Sequence, residues 1–150
     1  MIRDRGNQMA RTEAEAMRWL EQRFAELPVA ALLDASPLAC DAGKGEVTIA
    51  CTARPDFCNL LGWVQGGMLT AMLDIAMSYA VLVSLPDEQL IPSLEIKTTY
   101  IAPARPGRLL ATGSTLRKGS SIAFMEGRLQ DAGGALLATA SATGQLRKRG

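Results

Sequence analysis

The stretch GWVQGGMLTAMLDIAMSYAVLVS, Gly62–Ser84, decides how this chain is read. It is long and apolar, it opens on two adjacent glycines, and one acid, Asp74, stands in its middle. Taken as a helix from Gly66, it places Gly67, Thr70, Asp74 and Ser78 at i, i+3, i+7 and i+11. These form one polar stripe on an otherwise apolar cylinder. A carboxylate among apolar side chains is costly unless it is paired or solvated. The stripe must therefore face water, a cavity or another subunit. Met68, Leu69, Met72, Leu73, Ile75, Ala76, Tyr79 and Val83 are left to supply core. The run nearly reaches the length of a bilayer span. Asp74 at its centre, and amphipathic sequence on either side, favour a buried central helix over a membrane helix.

Upstream, Thr12 and Glu15 fit a capping box, and Met17, Leu20, Phe24 and Leu27 follow on one helical face. This predicts an amphipathic helix over about 12–27, ended by Pro28. PLACDAGKGEVTIACTARPDF reads as a hairpin turning at AGKG, with Val47, Ile49 and Cys51 alternating against Glu46, Thr48, Ala50 and Thr52. Downstream, 93–102, 108–117, 122–130 and 136–145 read as strands separated by PARPG, KGSS and DAGG. Turns at this spacing predict an antiparallel meander. The whole is α+β, a sheet curled around one apolar helix.

A chain of 150 residues can bury a core as one domain, and no repeat or linker divides it, so 1–150 is read as one unit. Apolar residues make up 48% and charged residues 21%, which excludes a disordered chain. A net charge of +1 argues against a nucleic-acid partner, and the basic end RKRG reads as a solvated tail. The absence of histidine excludes Ser-His-Asp and Cys-His catalysis and histidine-bound zinc within the chain. Cys40, Cys51 and Cys58 show no CxxC spacing and read as reduced thiols of a cytoplasmic protein. The segment 1–17 lacks the apolar run of a signal peptide.

The helix start suggests chemistry. The glycines of QGG leave backbone N–H groups unpaired and open to a ligand, and the helix dipole adds positive charge there. Such an end can hold the oxygen of a polarised carbonyl. An acid two turns along the same face can serve as base or nucleophile.

These residues resemble a known signature. NLLGWVQGGMLTAMLD looks like that of hotdog-fold acyl-CoA thioesterases of the phenylacetate-degradation type, which run Asn, Gly, His-Gly-Gly and an acid nine residues after the histidine. SLEIKTTYIAPARPG resembles the family strand that follows the helix. The resemblance covers about 37–146 and implies a hotdog, a long helix wrapped by a curved sheet. It implies that Asp74 is the catalytic acid and that the Gly66 N–H polarises the thioester carbonyl, with Gly67 and Thr70 beside it. Asn59 would face the acid across the site. Ser78 would position water, and Ser93 would support the acid from the next strand. The family forms homodimers and homotetramers with the site shared between protomers. Coenzyme A enters as part of the substrate; no metal or redox cofactor is implied.

One position departs from the pattern. Gln65 stands where the family has histidine; an amide can orient a carbonyl but cannot take up a proton. A non-catalytic acyl-CoA binder or assembly subunit is therefore the rival reading. A hotdog hydratase, which pairs histidine with an acid, fits a chain without histidine poorly. Arg117, Lys118, Gly119 and Ser120 offer charge and backbone donors for the phosphates of the CoA arm, or form an ordinary hairpin turn. Met68, Met72, Met77 and Met125 would give an adaptable acyl lining if they reach the pocket.

Overall fold

A computed structural model of the chain describes residues 11–150. Most of the segment read as lacking signal-peptide character, 1–10, lies outside the described residues.

Helix α1 (Glu13–Glu26) begins at the expected capping box: Glu15 N–H donates to Thr12 Oγ1, and Thr12 N–H donates to the Glu15 carboxylate at 2.8 Å. Its buried face is Ala16, Leu20 and Phe24. Pro28 does more than stop this helix. It sits at the first position of a short helix α2 (Pro28–Leu32), where a missing N–H costs nothing. Strands β1 (Ser36–Asp41) and β2 (Glu46–Ala53) form the predicted hairpin, with Gly45 in the left-handed region at φ 67° closing it. Val47, Ile49 and Cys51 are buried.

Helix α3 (Gly66–Leu82) is the expected central helix. After a two-residue strand β3 (Gln89–Leu90) come β4 (Ser93–Tyr100), β5 (Gly107–Lys118), β6 (Ile122–Asp131) and β7 (Leu136–Gln145). All pairings in the main sheet are antiparallel, in the order β1-β2-β5-β6-β7-β4. The four strands are therefore not the simple meander expected. Only β5, β6 and β7 meander; β4 lies at the far edge against β7. Turn chemistry marks where a chain bends, not which strand it meets next. PARPG is a crossover, in which Ala104 is buried and its carbonyl accepts from Val64 N–H at 2.9 Å.

The sheet wraps α3, which touches β2, β4, β5, β6 and β7. Met72, Leu73, Met77 and Val81 meet Val47, Ile49, Leu109, Met125 and Leu129 in one core. Three of the four methionines expected to line a pocket are thus buried in the core, and only Met68 is half-buried. Glycine allows the closest approach. A Cβ at Gly113 of β5 would stand 2.3 Å from the Ala76 carbonyl of α3.

Part of the RKRG end is paired, not free: strand β8 (Arg147–Lys148) runs antiparallel to β3, and Arg149 N–H donates to Glu88 O. Among the described residues no helix is long and apolar enough to cross a membrane.

Candidate active site

The start of α3 is built as an open donor. Gln65 is the N-cap, yet its side chain makes no capping bond. Its carbonyl accepts from the N–H of Met68 at 2.9 Å and of Leu69 at 3.4 Å. The N–H groups of Gly66 and Gly67 have no acceptor among the described residues. They open into a cavity of about 530 Å³, bounded by Trp63, Leu69, Tyr100, Ile101 and Pro103 and also reached by Asn59 and Gln65. The two glycines differ. A Cβ at Gly67 would meet nothing within 4 Å, whereas one at Gly66 would lie 2.7 Å from Cζ of Tyr100. At position 66 the Tyr100 ring takes the space a side chain would use, so a larger residue there would push that ring aside.

The polar stripe lies as the helix geometry demands: Gly67 is exposed, and Thr70, Asp74 and Ser78 are half-buried. Ser93 Oγ at the head of β4 donates to Asp74 Oδ1 at 2.7 Å. Two residues nominated from sequence, nineteen positions apart, are thus in direct contact. This fixes one carboxylate oxygen and leaves Oδ2 without a protein partner among the described residues. Thr70 is also tied to β4, through Thr98 at 2.9 Å and Tyr100 at 2.8 Å.

Other candidates stand apart. Asp74 is eight residues from Gly66, about 12 Å along one helix, and does not border the cavity at its start. Asn59 is engaged locally, its Oδ1 accepting from the N–H of Leu61 at 2.9 Å and of Trp63 at 3.3 Å. Arg117, Lys118, Gly119 and Ser120 form the exposed β5–β6 turn, closed by Gly119 N–H to Ile122 O at 2.8 Å. The register Lys118–Ala123–Gly144–Ser93 puts that turn three strand spacings from Ser93, about 14 Å. Tyr100 was not singled out from the sequence. The signal available was an aromatic on the strand expected to flank the helix.

The cysteines are free thiols. Burial, then the nearby Asp34 charge, pushes the Cys51 thiol up to about 12. Among the described residues no group of three or more His, Cys, Asp or Glu side chains is placed to hold a metal ion.

Known proteins share this fold. The profile of the thioesterase superfamily matches residues 61–138. A solved structure from Ralstonia eutropha JMP134, provisionally described as a phenylacetic acid degradation-related thioesterase, is 31% identical; the match covers 84% of this chain and 98% of that one at a TM-score of 0.77. The Escherichia coli PaaI protein of the phenylacetic acid degradation operon is 16% identical, over 93% and 97% of the two chains, with a TM-score of 0.79, a likeness of fold. A provisionally described esterase of Saccharolobus solfataricus is 29% identical over 97 residues, 65% of this chain and 69% of that one. A long helix wrapped by a six-stranded antiparallel sheet is the hotdog fold. Within it, this chain belongs to the thioesterase superfamily.

Proposed function

We propose that the protein hydrolyses an acyl-CoA thioester to a carboxylic acid and CoA. The observation that carries this is the Ser93–Asp74 hydrogen bond, which holds a carboxylate on the one face of α3 that the core leaves uncovered. Asp74 Oδ2 takes a proton from water as the water oxygen attacks the thioester carbon, or attacks that carbon itself to form a transient anhydride. The carbonyl oxygen gains charge and is stabilised by the Gly66 N–H, with Gly67 beside it. On the water route the carbon–sulfur bond then breaks, and CoA leaves as its thiol with the proton Asp74 took from water. On the anhydride route CoA leaves as a thiolate that takes a proton from solvent, and water then splits the anhydride into the carboxylic acid and free Asp74. Gln65 orients the carbonyl, Thr70 and Ser78 flank the acid, and Asn59 holds the loop that frames the pocket.

About 12 Å separates Asp74 from Gly66 within one protomer, too far to act on one carbon. A second copy supplies the missing half. Among the described residues strand β4 has an unpaired edge, and it carries Ser93 and Tyr100, so two β4 edges meeting antiparallel would bring Asp74 of one protomer towards the Gly66 and Asn59 face of the other. Arg117 and Lys118, exposed on their hairpin with Gly119 and Ser120, would then receive the CoA phosphates.

The test is thiol release across a panel of aryl and aliphatic acyl-CoAs, with wild type and Asp74→Asn. Wild type turns over, and the variant loses about 10²-fold or more in kcat with its fold intact. Equal turnover would remove Asp74 from the mechanism. The binder reading is favoured by one observation, the glutamine at position 65. It predicts calorimetric binding of a non-hydrolysable acyl-CoA analogue by a wild type that releases no thiol.

A further inference from the structure

The ring of Tyr100 lies against the first glycine of α3 although half its surface is exposed, so core packing does not explain it. Its hydroxyl is 2.8 Å from Thr70 Oγ1, and Thr70 Oγ1 donates to Thr98 Oγ1 at 2.9 Å. A threonine hydroxyl has one proton, so Tyr100 is the donor to Thr70. The result is a directed chain, Tyr100 to Thr70 to Thr98, that latches the first turn of α3 to the edge strand β4.

That turn needs a latch. Helix starts lack partners for their first N–H groups. Here two consecutive glycines, the residues with the most backbone freedom, occupy the first two positions, and the Gln65 side chain provides no cap. Thr70 stands four residues after Gly66, on the same face. Its bond to Tyr100 therefore grips the helix one turn from the free donors.

We propose that Tyr100 is a positioning residue: ring against Gly66 and hydroxyl on Thr70, it aims the N–H groups of Gly66 and Gly67 at the thioester carbonyl. This rests on the thioesterase reading above. An aromatic filler alone would need only phenylalanine; the hydroxyl is what makes the latch directional.

Tyr100→Phe keeps the ring and removes the latch, and Thr70→Val breaks the latch from the other side. Each is expected to lower kcat roughly 5- to 10-fold, because misaimed donors lose transition-state stabilisation. KM for the best acyl-CoA of the panel stays within about twofold. The melting temperature barely moves in Tyr100→Phe, which gives up one exposed hydrogen bond, and falls somewhat more in Thr70→Val, which also gives up the half-buried bond to Thr98. The double variant is no slower than either single one, since both break one chain. Thr70→Ser, which keeps a hydroxyl, recovers most of the loss seen in Thr70→Val. Wild-type kcat in Tyr100→Phe, losses that multiply in the double variant, or rates that simply follow lost stability would overturn the latch while leaving the thioesterase reading intact. A wild type that releases no thiol from any acyl-CoA fails that reading, and the latch fails with it.

Discussion

At the scale of single residues, position 65 holds an amide, which cannot take up a proton, beside the helix start. Gln65 is exposed, adjoins two free N–H groups and makes no capping bond. On the proposed reading its role is orientation, so Gln65→His should keep or raise thiol release. Gln65→Ala should lose roughly 10-fold, about one hydrogen bond's worth. With no histidine in the sequence, the pH–rate profile of wild type should lack an imidazole limb near about 6.5, while Gln65→His can acquire one. Cys51 supplies a second pH test, on stability. Burial raises its thiol from the ordinary 9.0 to about 12. The unfolded thiol therefore ionises first, and the unfolded state gains as pH rises through that window. The stability of wild type relative to Cys51→Ala, read from urea midpoints, should be greatest below pH 9.0 and shrink towards pH 12. A difference that stays constant across the window would contradict the burial of this thiol.

Among the elements, α3 and β5 make the tightest contact. A side chain at Gly113 would run into the backbone of Ala76 and Met77, which cannot rotate away. Gly113→Ala should cost about 1–3 kcal/mol in urea unfolding, as overpacking does. Gly67→Ala, with open space around it, should cost much less despite sitting in the same helix as Ala76. A Gly113→Ala variant as stable as wild type would mean that the helix rides higher on the sheet. The same elements show what could be read from the residues alone. The span and stripe of α3 were legible because 3.6-residue periodicity is local, and so was the β1–β2 hairpin, because AGKG turns within four residues. The place of β4 was not, because nothing in Ser93–Tyr100 names β7 as its neighbour. The pairing of β3 with β8 was hidden for the same reason, each being two residues long. The Asp74–Ser93 contact was reachable only through resemblance. The Tyr100 latch depends on three side chains meeting across the helix and the strand, and no local pattern announces it.

For the whole molecule, apolar surface is unevenly placed. Leu60, Leu61 and Trp63 on the loop before α3, Leu94 and Tyr100 on β4, and Ile101 just after it are all exposed. The other outer strand, β1, has α1 alongside it, whereas among the described residues the outer edge of β4 has no paired neighbour. A bare edge beside exposed apolar side chains is an association surface. Sedimentation should give a dimer or tetramer. A stable, active monomer of about 16 kDa would contradict the shared site. A proline within β4, Lys97→Pro, should shift the population towards monomer and abolish turnover together.

The crossover of β4 also sets an order in time. As the chain leaves the ribosome, α3 and Ser93 emerge well before the strand that β4 lies against, Leu136–Gln145. Until then β4 has no neighbour, and Ser93 has no fixed position from which to reach Asp74. Long-range pairing of this kind slows folding, because loop closure precedes any gain from contact. A nascent chain stalled before Leu136 should therefore carry a largely formed α1 and β1–β2 hairpin but no assembled acid. Competence for chemistry arrives with β7.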